Sequence, residues 1–366
     1  MASGVSEDGQ ALMERALAQI RKEFMPGQRL HSAVDPMTIH NFFPPAFAGN
    51  WAIYRESIVV ERKFNRKEKE QIAAIISGSN ACKFCCAAHG NFAVAANSGG
   101  SEMRAAMDTN DPSLLRDERM RKVCTWAKEC QKKASPALRE APPFNLDEAP
   151  EVISTAFKFN FTNRLVDVFI TQSLVPQRLP WFIRLILYML PFLQRPLIVM
   201  MTKWKAEHMK RLGAVKEGEA LAILGRDAKP RPEFRWNEKN ECIAKVFAYW
   251  CWAMDELAEQ YIPKEVTNFV GKYIEENYSG EDPPLSRNWV FKVAEETGMS
   301  EAQQCAIRFM LLLSFARFQI DGAIKADLKK HFPDYRTQRA MGIWAAHKTA
   351  TAIAEWEGES VMRFTK

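Results

Sequence analysis

Three cysteines and a histidine crowd into eight residues, Cys82, Cys85, Cys86 and His89, in a chain that has only 8 Cys and 6 His. On a helix, Cys82 and Cys85 stand at a spacing that lets two thiols pass to a disulfide. His89, four residues beyond Cys85, places an imidazole one turn from that thiol, where it can act as a base. At about 100° per residue, Cys82, Cys85, Cys86 and His89 share one narrow arc while Phe84 points another way. The preceding "SGSN" offers Ser79 or Asn80 as a helix N-cap, which puts Cys82 in the first turn, where the positive helix end favours thiolate. Glu70 lies on the helix before, on a face of small residues (Ala73, Ala74, Ser77) opposite Ile72, Ile75 and Ile76. A carboxylate buried there either raises its own pKa or pairs with a histidine.

Other chemistries fit these residues less well. A zinc site would have to draw Cys82, Cys85 or Cys86 and His89 from one helical turn, whereas tetrahedral sites use two separated segments and no second Cys/His pair is evident. No metal and no cofactor is expected. A thioredoxin-type site needs a βαβ frame that the sequence lacks. Cys124, Cys130, Cys242, Cys251 and Cys305 sit alone in apolar helical patterns and read as small buried hydrophobes. His31, His40, His208, His331 and His347 read as surface or cap residues. Asn163 and Arg164 place polar groups inside an apolar helix, and Arg164 is expected to pair with a buried carboxylate rather than line a pocket.

The elements around the motif are helical. "DERMRKVCTWAKECQKKA", "NECIAKVFAYWCWAMDELAEQY" and "EAQQCAIRFMLLLSFARF" repeat apolar residues at three- and four-residue steps, and short breaks such as "TNDP" and "GEDPP" separate them. This predicts an all-α protein. At 366 residues the chain has room for two domains. We expect one over residues 1–175, a connector over 176–212, and a second over 213–366. The connector holds the apolar stretch Leu179 to Trp204, which is cut by Pro180, Arg184, Pro191, Arg195 and Pro196 and so falls short of a spanning helix. It reads as a kinked helical hairpin; a membrane-surface segment over 179–211, with the basic "KWKAEHMKR" at its end, is the less favoured reading. The net charge of +6 is dispersed, which argues against a nucleic-acid partner. The N-terminus lacks the apolar core of a signal peptide, so a cytoplasmic protein with reduced thiols is expected.

A faint repeat appears at an offset of 235 residues, with Asn65–His89 against Ser300–Ile324. The apolar positions match, but Glu70 meets Cys305, Cys82 meets Arg317, Cys85 meets Ile320 and His89 meets Ile324. A second copy would have kept the packing and lost the chemistry.

Glu70, Cys82, Cys85 and His89, spaced as Glu-(eleven residues)-Cys-x-x-Cys-x-x-x-His, together with the following "NFAVAANSGGSEMRAAM", resemble the alkyl hydroperoxidase D / carboxymuconolactone decarboxylase family. The match is tightest over Phe64 to Met107. The resemblance implies an all-α helical bundle, here in two tandem units with the second degenerate, and commonly a homo-oligomer. It implies a thiol peroxidase with Cys85 attacking the peroxide, Cys82 resolving, and His89 with Glu70 moving protons. A dithiol reductant or reductant protein would restore the pair. The chain departs from the family at Phe84, where the peroxidase has a second histidine, and at Cys86, which has no assigned role and could compete as resolving thiol. The helix-end argument alone favours Cys82 as the more acidic thiol, the resemblance Cys85. Two further functions remain: a decarboxylase-like lyase or isomerase using Glu70 and His89 on a small acid, and a non-enzymatic interaction or membrane-surface protein.

Overall fold

A computed structural model describes residues 6–24, 36–95, 101–170, 180–190, 200, 207 and 214–364. Among them every regular element is helical and no strand occurs, as the apolar spacing predicts. α1 (Glu7–Glu23) opens at Ser6, whose hydroxyl accepts from the Gly9 amide at 3.2 Å. α2 (Pro44–Tyr54) runs into a π-helical turn, Arg55–Val59. α3 (Arg66–Ser79) starts on a reciprocal capping box: Asn65 Oδ1 accepts from the Glu68 amide at 3.0 Å, and Glu68 Oε2 from the Asn65 amide at 2.8 Å. α4 (Lys83–Ala95), α5 (Ser101–Thr109), α6 (Glu118–Glu129) and α7 (Ala149–Phe169) complete the first half. α8 (Trp181–Met189) is the described part of the apolar centre, and it leaves Trp181 and Met189 exposed. The remainder of the expected hairpin lies outside the described residues.

The second half holds α9 (Glu219–Leu224), α10 (Glu241–Tyr261), α11 (Lys264–Asn277), α12 (Asn288–Glu295), α13 (Glu301–Phe315), α14 (Gly322–His331) and α15 (Tyr335–Phe364). α7 packs on α3 and along α15, and α2 packs on α10, so one core runs through both halves. α7 is buried on nearly all sides, which is why its sequence shows little amphipathic bias. Gly342 allows α15 to pass the end of α7: a Cβ there would lie 2.5 Å from the Phe169 ring.

Ser300 and Gln303 cap α13 with the same reciprocal box that Asn65 and Glu68 give α3, at the 235-residue offset. Beyond that helix the ungapped register fails. α14 starts only at Gly322, capped by the Asp321 carboxylate after a one-turn 3₁₀ helix, Arg317–Gln319.

Buried ions tie the halves together. Arg55, fully buried at the π turn, donates to Glu23 at 2.7 Å, Glu56 at 2.6 Å and Glu219 at 3.0 Å. Arg62 bridges Glu56 and Glu217, each at 2.7 Å. Two histidines depart from the sequence expectation. His40 and His347 are buried, not surface or cap residues, because Phe161 and Trp250 enclose His40 while Trp250 and Phe157 enclose His347. Burial drives both well below the ordinary histidine range. His331 does sit in the last turn of α14, near Asp327 at 3.5 Å; His31 and His208 lie outside the described residues.

Candidate active site

The motif sits on the corner between α3 and α4, and that corner is a Schellman turn. The Cys82 amide donates to the Ser77 carbonyl and the Ala81 amide to the Gly78 carbonyl, both at 2.9 Å, with Ala81 in the left-handed region at φ 53°. Two amides of α7 brace it: Asn80 Nδ2 donates to Asn160 Oδ1 at 2.9 Å, and Ser77 Oγ to Asn163 Oδ1 at 3.2 Å. This moves the expected cap. Ser79 is the last residue of α3 and Asn80 is its C-cap, so neither starts α4. Cys82 takes the N-cap position instead, its carbonyl accepting the first helical bond from the Cys86 amide at 2.9 Å. Cys85 therefore falls in the first turn of α4, and His89 one turn further on.

The corner brings the two thiols together. Cys82 and Cys85 are free and buried, with their sulfurs 2.7 Å apart, longer than the roughly 2.05 Å of a disulfide and close enough to form one by a small movement. Burial, then the bond from Cys82, pushes the Cys85 thiol well up. Cys85 therefore needs a base to become a thiolate. Lys158 of α7 is a positive group near it. Burial brings this lysine down to about 7, opposed by Cys85. Its ammonium donates to Asn50 Oδ1 and stands 5.3 Å from the Phe161 ring centroid.

Glu70 and His89 also meet. His89 Nδ1 lies 2.6 Å from Glu70 Oε2 across the α3–α4 interface, with Glu70 almost fully buried and the imidazole 13% exposed. Arg66, one turn before Glu70, reaches its other oxygen at 3.4 Å. Phe159 of α7 sets its edge against the imidazole with centroids 4.4 Å apart. The histidine is thus fixed by a carboxylate and a ring wall while one side stays open to solvent.

Cys86 turns to a different neighbour. Its sulfur is 3.5 Å from the Met107 carbonyl of α5, and burial with Asp108 beside it pushes the thiol up to about 11. Phe84 is partly buried against the core. Cys124, Cys130, Cys251 and Cys305 are buried and Cys242 half-buried. Among the described residues no three His, Cys, Asp or Glu side chains converge on a point that could hold a metal ion. No helix there is long and apolar enough to cross a membrane.

Arg164 departs from its expected carboxylate pairing. It donates to the Asn160 carbonyl and the Tyr278 hydroxyl, each at 2.6 Å, and so joins α7 to the end of α11. Arg66, Lys158 and Phe159 are site residues that the sequence did not single out. Asn160, Asn163, Arg164 and Asp167, spaced three and four apart in an apolar helix, were the available signal for a polar seam on α7.

The chain is 26% identical over 311 residues to a protein named alkyl hydroperoxide reductase from Mycobacterium tuberculosis (strain ATCC 25618 / H37Rv), a match covering 84% of this chain and 81% of that one. No protein-family model and no solved structure matches it. The similarity to that alkyl hydroperoxide reductase runs well beyond the cysteine motif.

Proposed function

We propose that the chain reduces a hydroperoxide through Cys82 and Cys85, with His89 and Glu70 moving the protons. The observation that carries this reading is the juxtaposition of two sulfurs 2.7 Å apart with a carboxylate–imidazole pair at 2.6 Å on one helical corner. His89 takes the Cys85 proton, and Glu70 stabilises the imidazolium that results. The Cys85 sulfur attacks a peroxide oxygen and the O–O bond breaks. The alkoxide leaves with the proton from His89 as an alcohol, and Cys85 becomes a sulfenic acid. Cys82 then attacks that sulfur, the S–O bond breaks, water leaves, and a disulfide joins the two cysteines. An external dithiol, free or on a reductant protein, restores the pair by exchange and is itself oxidised. The name of the Mycobacterium tuberculosis relative supports the peroxide substrate.

We also read the chain as two tandem units, the second without the motif, on the matched capping boxes of α3 and α13 and on the pairing of α7 with α15. The homo-oligomer and the cytoplasmic setting go with the same reading. Turnover of cumene hydroperoxide with dithiothreitol tests the function. Cys85→Ser and Cys82→Ser are each expected to abolish it. Full turnover by both variants would remove the dithiol and favour the lyase that uses Glu70 and His89 alone.

A further inference from the structure

We propose that Asp167 is the proton acceptor for Cys82 during disulfide formation, held in place by Arg317 from the second half of the chain. The inference rests on the dithiol reading above. Asp167 lies in the last turn of α7, and its carboxylate faces the Cys82 thiol. The Cys82 thiol donates to the Cys85 sulfur at 2.7 Å and has that carboxylate beside it. Arg317 Nε makes an ion pair with Asp167 Oδ2 from the 3₁₀ turn that follows α13. The carboxylate is 13% exposed and the guanidinium 18%, so neither is loosely solvated. Arg317 belongs to the second half, so that half contributes a charge beside the first half's site.

The other groups facing Asp167 are consistent with a base. Arg164, on its own helix, adds a second positive charge, and Lys325 of α14 donates to the adjacent Val168 carbonyl at 2.9 Å. Burial raises the Asp167 carboxyl while Arg317 and Arg164 hold it back. Its charge also opposes a resting thiolate at Cys85. The step is balanced. Once Cys85 is a sulfenic acid, the Cys82 proton passes to an Asp167 oxygen as the Cys82 sulfur bonds to that of Cys85. The S–O bond of Cys85 breaks, and the departing hydroxide takes the proton back from Asp167 as water. Cys82 is oxidised, the sulfenic sulfur is reduced, and Asp167 ends unchanged.

The test follows the two sulfur steps separately in the full-length reduced protein, with Asp167→Asn and Arg317→Met beside wild type. Hydrogen peroxide starts the reaction, dimedone traps sulfenic acid, and peptide mass mapping counts the Cys82–Cys85 disulfide. Asp167→Asn is expected to form the Cys85 sulfenic acid at least as fast as wild type, since the charge opposing the Cys85 thiolate is gone, and to close the disulfide at least about tenfold more slowly at pH 7. Raising the pH should restore closure by about tenfold per unit, as hydroxide replaces the missing base; wild type should depend on pH much less steeply. Arg317→Met should slow the same step, and Asp167→Glu should recover part of it. Bis(2-hydroxyethyl) disulfide serves as a second oxidant, forming a mixed disulfide on Cys85 that Cys82 must resolve with the same base. If wild type ignores peroxide but reacts with this disulfide, the peroxidase reading fails while Asp167 is still tested. Closure by Asp167→Asn with the wild-type rate and pH profile would overturn the proposal, and a Cys85 inert to both oxidants would overturn both readings.

Discussion

Replacing Glu70 probes the proton path without touching a sulfur. Glu70 is almost fully buried and lies 2.6 Å from His89 Nδ1, a short charge-assisted contact that becomes an ion pair once the imidazole takes the Cys85 proton. Such a bond contributes about 1.5–3 kcal/mol net, against about 0.5–1.5 kcal/mol for a neutral one. Glu70→Gln keeps an acceptor for Nδ1–H and loses the charge, a difference of about 1–1.5 kcal/mol, or roughly 5–13-fold in rate. Glu70→Ala loses the whole interaction, about 10–150-fold. Arg66 sits at 3.4 Å on the other carboxylate oxygen and is partly exposed, so it can turn to water in either variant and the fold should survive. The assay follows loss of the Cys82 and Cys85 thiols under excess hydrogen peroxide at pH 7, quenched with N-ethylmaleimide, with circular dichroism as the control for folding. The expected order is wild type, then Gln, then Ala. If folded Glu70→Ala oxidised within about a factor of two of wild type, Glu70 would have no part in the proton path and the reasoning fails.

Cys86→Ser should retain most of the oxidation rate and still yield the Cys82–Cys85 disulfide, because the Cys86 sulfur faces the Met107 carbonyl and its thiol is pushed up to about 11; peptide mapping after peroxide checks this. Ala81→Gly should stabilise the protein by about 1 kcal/mol in urea melts, since Ala81 holds the left-handed position of the Schellman turn, where a Cβ is unfavourable. The gain is net of the extra freedom glycine has in the unfolded chain. Stability should fall as the pH drops below about 6.5, because the unfolded chain then protonates two histidines that His40 and His347 keep neutral when folded. Each contributes a slope of up to ~1.4 kcal/mol per pH unit, and a folded His347→Asn variant should show about half the combined slope.

The local features of this fold were legible because they are written at helical spacing. The α3 capping box, the partnership of Cys82 with Cys85 and that of Glu70 with His89 each need only a helix, a corner and the next helix. The exact cap was misplaced because Ser79 and Asn80, good N-cap residues by type, are consumed in ending α3, and the turn passes the role to a cysteine. The burial that raises the Cys85 thiol is not written at helical spacing, because it comes from the packing of α4 into the core. His40 and His347 looked like surface residues because enclosure by Trp250, Phe157 and Phe161 joins three distant segments. Asp167 and Arg317 are separated by 150 residues, and nothing short of the packed halves brings them to Cys82.

The account stands most directly on what one equivalent of hydroperoxide does to the reduced protein. Intact mass and peptide mapping should show two thiols lost, both in a Cys82–Cys85 disulfide, with Cys86, Cys124, Cys130, Cys242, Cys251 and Cys305 still free, and dithiothreitol should return the starting mass. A protein that keeps every thiol, or that links Cys86 in place of Cys82, would contradict it.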